Sequence, residues 1–86
     1  MIPTLTFFSD PGHGWLQVPV ECLKSVGLKT SDFSSYSYRH TSAVYLEEDC
    51  DAPRFLTACK ACNVVPVIRE NHTNYDSPIR NYPSIY

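Results

Sequence analysis

The chain has little positive charge, and no apolar run in it is long. Its 7 Lys and Arg residues stand against 9 Asp and Glu residues, so the formal net charge is −2. Neutralising phosphates requires a surplus of basic residues, and nucleic acid is therefore a disfavoured partner. No apolar run approaches the roughly 18 residues of a membrane span, and the N-terminus lacks a basic segment followed by an apolar one. We expect a cytoplasmic protein that makes no membrane contact.

Glycine is also scarce, with 3 residues in the chain. The segment Gly12-His13-Gly14 follows a predicted strand but lacks the third glycine and the lysine of phosphate-binding loops. A Cys-x-x-Cys pair occurs at Cys59 and Cys62. It lies late in a predicted helix, where the helix dipole does not lower a thiol pKa, and no second pair completes a zinc site. We expect reduced thiols, no metal and no cofactor.

The length and the hydrophobic content of the chain suffice for one small domain. The chain has 86 residues, of which 43% are hydrophobic, enough for one core but too few for a large internal chamber. Alternating apolar residues and β-formers predict strands, and apolar residues at helical spacing predict helices. The predicted strands are 4–9, 33–38, 43–47 and 64–68, and the predicted helices are 19–27 and 52–62.

This order, β-α-β-β-α-β, predicts an α+β fold of the ferredoxin-like type. Its sheet would hold four antiparallel strands in the order 4-1-3-2, with both helices on one face. Pro66 cannot donate a hydrogen bond to a neighbouring strand, which agrees with an edge position for the last strand. We expect a single domain over residues 1–70 and a C-terminal tail, 71–86, that packs on the domain or extends from it.

In that topology, the turn after the first strand and the 39–42 hairpin tip share one end of the sheet. Asp10, His13 and His40 would meet there, and two imidazoles with a carboxylate can bind a transition metal or act as general acid and base. The simpler interpretation is that Asp10 and Pro11 make a turn while the two histidines are solvated at loop tips.

Side-chain alternation places aromatic rings on the sheet face opposite the helices. If Leu5, Phe7, Val44 and Leu46 are buried, then Phe8, Tyr45 and Glu47 point outward, and either Tyr36 and Tyr38 or Phe33 joins them. A row of rings on an open sheet is a contact surface. A protein partner, a second copy of the chain or the chain's own C-terminal tail could cover it, whereas Glu47 among the rings opposes RNA.

Four carboxylates fall within five residues, at Glu47, Glu48, Asp49 and Asp51. They could hold Mg²⁺ or Ca²⁺, although nothing else in the chain is similar to an EF-hand loop. An acidic face for a basic partner, with Asp51 capping the following helix, is the alternative interpretation.

Three segments resemble a group of short accessory proteins encoded by bacteriophages. They are LTFFSDPGHGW (5–15), SSYSY (34–38) and VYLEEDCD (44–51). The resemblance implies a bacterial host cytoplasm and a role in host takeover or in countering a host defence. It implies no activity and assigns no role to any residue.

The residues and the resemblance together favour a non-catalytic protein that binds a host protein and inhibits it, with a homodimer as a further possibility. The expected contact residues are Phe8, Trp15, Tyr36, Tyr38, Tyr45, Glu47, Glu48 and Asp49. The alternative is a small metal- or nucleotide-binding domain or a hydrolase that uses Asp10, His13 and His40.

Overall fold

The computed structural model describes residues 3–86, so the first two residues of the predicted domain lie outside it. Residues 3–86 form five strands, two α-helices and two short 3-10 helices, and neither α-helix is long and apolar enough to cross a bilayer. The strands are β1 (Thr4–Ser9), β2 (Gly14–Pro19), β3 (Tyr38–His40), β4 (Ala43–Glu47) and β5 (Val67–His72). The α-helices are α1 (Val20–Ser25) and α2 (Asp51–Ala61), and the 3-10 helices are Thr30–Asp32 and Pro78–Asn81.

The strands form one mixed sheet in the order β3-β4-β2-β1-β5. Strands β1 and β5 are parallel, and the other neighbours are antiparallel. The α+β class is confirmed. The predicted four-stranded antiparallel sheet with the order 4-1-3-2 is wrong.

The main cause of that error is β2, which sequence analysis did not predict. The backbone N–H of Asp10 donates to the His13 carbonyl at 2.9 Å, so the chain reverses in a short hairpin directly after β1. In β2, Leu16 and Val18 then point to the core while Trp15 points to the other face. This alternation satisfies the strand rule, but it is only a few residues long and runs straight into α1.

Two other strands are shifted along the sequence. The predicted strand 33–38 contributes only Tyr38 to β3, whose other two residues, Arg39 and His40, belong to the predicted 39–42 hairpin link. Thr41 turns this hairpin with a φ of 55°. Strand β5 begins after Pro66 and reaches His72, beyond the predicted domain boundary at residue 70, and it lies at the sheet edge as predicted.

The main core lies between one face of the sheet and both helices, as predicted. Burial of each large apolar side chain contributes roughly 1.5–3 kcal/mol relative to exposure. The sheet supplies Leu5, Leu16, Val18, Val44 and Leu46, and the helical side supplies Leu23, Val26, Ala52, Phe55 and Cys59.

The C-terminal segment, residues 73–86, covers the opposite face of the sheet with Ile79 and Tyr82, while its Ile85 joins the main core. Ile79 and Tyr82 pack against the rings of Trp15 and Tyr45. The segment is also held by backbone hydrogen bonds, because the Arg39 N–H donates to the Pro83 carbonyl at 2.9 Å. The interpretation in which the tail covers the rings therefore holds, and the expectation that these rings face solvent is wrong for this part of the sheet.

Replacing Ile79 with alanine tests this packing. Ile79 is buried, so Ile79→Ala should lower the free energy of unfolding by about 2–5 kcal/mol through lost burial and a residual cavity. The control is Ile68→Ala on β5, where the side chain is 41% exposed and the same change should cost about 1 kcal/mol or less. Urea denaturation measures both values, and equal costs would contradict the packing described here.

Candidate functional site

The strand register decides which predicted site residues share an end of the sheet. Trp15 pairs with Glu47, so the turn after β1 lies beside the acidic segment that follows β4. His40 pairs with Ala43 at the opposite end of β4. The predicted meeting of Asp10, His13 and His40 is therefore wrong, because the unpredicted strand β2 reverses the chain before α1.

His40 instead stacks on the C-terminal segment. Its ring lies 4.3 Å from the Tyr82 ring, centroid to centroid, with 12° between the planes. Among residues 3–86, no group of three or more His, Cys, Asp and Glu side chains is placed to hold a metal ion. The acidic segment accordingly shows no arrangement for Mg²⁺ or Ca²⁺ within that range.

Asp10 joins the first turn to the C-terminal segment. Its Oδ1 accepts the backbone N–H groups of Gly12 at 3.0 Å and His13 at 2.9 Å, and its Oδ2 accepts the Ser77 N–H at 2.9 Å. Arg80 donates from Nε to Oδ2 at 2.6 Å and from Nη2 to Oδ1 at 2.8 Å. This two-bond geometry is the strongest form of the arginine–carboxylate interaction.

The Asp10 side chain has no solvent-accessible surface, whereas that of Arg80 keeps 33%. The Arg80 guanidinium holds the pKa of Asp10 well below its usual range, burial opposes that change, and the three N–H donors add to the lowering. Gly12 permits the close approach, because a Cβ there would lie 2.8 Å from Arg80 Nη2. Asp10 is therefore a structural anion and is not free to bind a ligand.

Trp15 supports the same guanidinium from the sheet. The Arg80 Cζ lies 5.3 Å from the centre of the Trp15 ring, a cation–π distance. The His13 and Tyr38 rings lie 6.1 Å and 6.3 Å from Trp15. Trp15 is only 2% exposed, so it forms the floor of the site.

A second buried carboxylate, Asp51, fixes the segment before β3. Ser34 donates to it from its backbone N–H at 3.1 Å and from its hydroxyl at 2.7 Å, and the Ser37 hydroxyl also donates to it. The Ser37 oxygen in turn accepts the Glu47 N–H at 3.0 Å. These bonds replace strand pairing over residues 34–37, which explains why that segment is not the predicted strand.

Glu47 lies between these two networks. Its Oε1 accepts the backbone N–H groups of Asp49 at 2.9 Å and Cys50 at 2.8 Å, which turns the chain into α2. Partial desolvation raises the pKa of the Cys50 thiol, and the charges of Glu47, Asp51 and Asp49 and a hydrogen bond with the Glu47 side chain raise it further. The thiol therefore stays protonated at neutral pH and is a poor nucleophile.

These elements enclose a cleft of about 390 Å³ at this end of the sheet. It is lined by His13, Trp15, Ser35, Tyr36, Tyr38, Glu47, Asp49, Cys50 and Arg80. Five of the eight predicted contact residues thus line one cavity. Of the other three, Phe8 and Tyr45 pack with the C-terminal segment, and Glu48 is half-buried beside the first turn.

Sequence reasoning missed Arg80, Ser35 and Cys50 as cleft residues. Arg80 lies 70 residues from Asp10, and no spacing rule relates two such distant positions. The only available signal is that Arg80 follows Ile79 and precedes Tyr82 in a tail predicted to pack on the sheet. An arginine between apolar residues that pack needs a buried or ring-lined partner.

A second groove, of about 440 Å³, lies beside α2 and the segment before β5. Its lining is mostly apolar and includes Leu56, Val64, Val65 and Pro66. It contains none of the predicted contact residues. Lys60, on its border, provides a position for control substitutions.

Acidification tests the Asp10–Arg80 ion pair. The folded state lowers the Asp10 pKa from its usual value of 3.8, so the stabilisation is complete above about pH 4 and is lost as the pH falls toward the folded pKa. Asp10→Asn should be less stable at pH 7, and its free energy of unfolding should fall less steeply between about pH 4 and pH 2, because one proton fewer is taken up on unfolding. Urea denaturation across this range measures both slopes. Asp76→Asn, at an exposed carboxylate, is the control, and equal slopes for Asp10→Asn and wild type would contradict the assignment.

The site at this end of the sheet thus combines aromatic rings, carboxylates and one guanidinium that is already paired. Comparison of the chain with protein families, with curated proteins and with solved structures finds no match.

Proposed function

We propose that this protein is a non-catalytic binding domain whose partner is another protein, and that the cleft is its contact site. The observation that carries the proposal is the convergence of Tyr36, Tyr38 and Trp15 with Glu47 and Asp49 around one cavity. Tyrosine and tryptophan dominate the centres of protein interfaces because they bury a large area at low cost in conformational entropy.

The exposed fraction of the aromatic side chains increases from the floor of the cleft to its rim, as a contact surface requires. Tyr36 is 69% exposed and stands at the rim, while Trp15 is buried at the floor. A side chain from a partner can enter between them and displace water from both rings. Tyr36 would then act as the anchor that becomes buried on binding.

The charges around the cleft favour a basic partner. Asp10 and Arg80 form the one salt bridge found among residues 3–86 and neutralise each other. Glu47, Glu48 and Asp49 form no salt bridge within that range, which leaves three carboxylates without a basic partner at this end of the sheet. Such a field increases the rate of encounter with a basic surface and opposes a polyanion.

Several features support a binding role over catalysis. The Asp10 carboxylate is bound by Arg80, and the raised pKa of the Cys50 thiol keeps it protonated at neutral pH. The His13 ring lines the cleft but forms no hydrogen bond to any residue in 3–86 that would orient it as a base. A catalytic base needs an orienting partner and a nearby nucleophile.

The resemblance to phage accessory proteins supports a more specific form of the proposal. The partner would be a protein of the bacterial host, and binding would inhibit it during takeover or counter a host defence. The charge of the cleft favours a basic region of that protein, such as a surface that itself binds nucleic acid.

Substitutions at the rim test the proposal on a partner captured from bacterial host extract. Tyr36→Ala combined with Asp49→Lys should weaken binding of that partner at least 30-fold, which corresponds to about 2 kcal/mol. Both side chains are exposed, so folding should be unaffected. Isothermal titration calorimetry with the purified partner measures the change.

The matched control places the same kinds of substitution elsewhere, as Glu70→Lys on β5 and Lys60→Ala beside α2. Both residues are exposed, and neither lines the cleft. These variants should bind as wild type does. Loss of binding in the controls with full binding by the cleft variant would refute the assignment of the contact site.

A further inference from the structure

The side chain of Glu47 is unusual among the acidic residues of this chain. The residue is only 8% exposed, yet it lines the cleft. Its Oε1 accepts two backbone N–H groups, whereas no N–H group of residues 3–86 donates to Oε2, and the Cys50 thiol lies beside the carboxylate. In the same range, no buried side-chain oxygen lacks a partner, so Oε2 must be reached from the cleft. A carboxylate oxygen in this position can accept a hydrogen bond from a ligand that enters the cleft.

Aromatic rings flank this carboxylate. Trp15 on β2 is the direct cross-strand neighbour of Glu47. Tyr38 on β3 pairs with Tyr45, two residues before Glu47 on the same face of β4, so Tyr38 and Glu47 are diagonal neighbours. The Trp15 and Tyr38 rings meet edge to face at 65°. Two aromatic rings are therefore neighbours of this carboxylate, and the face of an aromatic ring attracts cations.

The protein already binds one guanidinium with the same two components. Arg80 is held by the Asp10 carboxylate and lies over the Trp15 ring. In the same cleft, Glu47 and Tyr38 provide a carboxylate and a ring, and no Lys, Arg or His side chain of residues 3–86 forms an ion pair with Glu47. A cation would complement the Glu47 carboxylate and the Tyr38 ring.

The geometry favours arginine over lysine. A guanidinium is planar, stacks on a ring and presents several N–H donors in one plane, so it can contact Glu47 and the nearby Asp49 together while lying against Tyr38. A lysine ammonium is more strongly hydrated and does not stack. An anion would meet the charge of Glu47, and Arg80 already uses Nε and Nη2 for Asp10.

We infer that the cleft is a receptor for the guanidinium of an arginine side chain of the protein partner, bound by Glu47 and Asp49 and stacked on Tyr36 and Tyr38. The inference rests on the proposed function and specifies its chemistry. Trp15 supports the rings from below. Glu47 is the residue that determines specificity.

Short peptides test the inference without the partner. The probes are acetyl-Gly-Arg-Gly-amide, the lysine peptide, and the citrulline peptide, which keeps the shape of arginine without its charge. Nuclear magnetic resonance should show saturable shifts of the Trp15 indole N–H and the Tyr38 ring with the arginine peptide. The lysine peptide should bind several-fold more weakly and the citrulline peptide at least 10-fold more weakly, because stacking or charge is lost.

The variant Glu47→Gln should weaken binding of the arginine peptide at least 10-fold. Glutamine keeps an oxygen that can accept the Asp49 and Cys50 N–H groups, so the turn is retained, and an unchanged amide spectrum away from the site confirms the fold. Glu70→Gln, on exposed β5, is the matched control and should bind as wild type does.

The inference is overturned if arginine and citrulline peptides bind equally, if Glu47→Gln binds as wild type does, or if inorganic phosphate shifts the same resonances more strongly than the arginine peptide. A partner that still depends on Tyr36 and Asp49 while the arginine peptide fails to bind would overturn the arginine chemistry alone. If the partner binds the variant with Tyr36→Ala and Asp49→Lys as tightly as wild type, the proposed function is overturned, regardless of how the arginine peptide binds.

Discussion

The ion pair between Asp10 and Arg80 connects the two ends of this chain, and the second face of the sheet depends on it. A carboxylate with no access to water would be costly without partners, but here it receives two bonds from one guanidinium and three from backbone N–H groups. The same bonds shape the first turn and place Ser77 at the start of the last 3-10 helix. Removing either partner would weaken the attachment of the C-terminal segment to the first turn.

Each wall of the cleft is held in place by one buried carboxylate. Asp10 organises the wall formed by the first turn and the C-terminal segment, and Asp51 organises the wall formed by residues 34–37 and the start of α2. Each carboxylate accepts hydrogen bonds from a segment distant from it in sequence, Ser77 and Arg80 for Asp10 and Ser34 and Ser37 for Asp51. Glu47 lies between the walls with one oxygen that accepts no N–H group of residues 3–86, and this difference distinguishes a candidate ligand-binding carboxylate from two structural ones.

Local signals in the sequence predict much of the fold. The helical spacing and Pro53 in the first turn predict α2 to within one residue at either end, and alternation predicts β1 and β4. Strand β2 is missed because its alternation is short, because its last residue, Pro19, also suits the start of a helix, and because α1 follows without a linker. The site is harder to predict, because the bond between Asp10 and Arg80 depends on a strand order that no local pattern specifies. Tyr36, Tyr38 and Glu47 are identified from their residue types, but the reason they converge is tertiary.

The central claim is that residues 73–86 are a structural part of the domain and form one wall of its site. Native-state hydrogen exchange of the amides of Ser77 and Ile85, which donate to the Asp10 carboxylate and the Ser37 carbonyl, tests this most directly. The account predicts protection close to that of the amides in β2 and β4. Exchange at the rate of an unstructured peptide, with the central strands still protected, would contradict it.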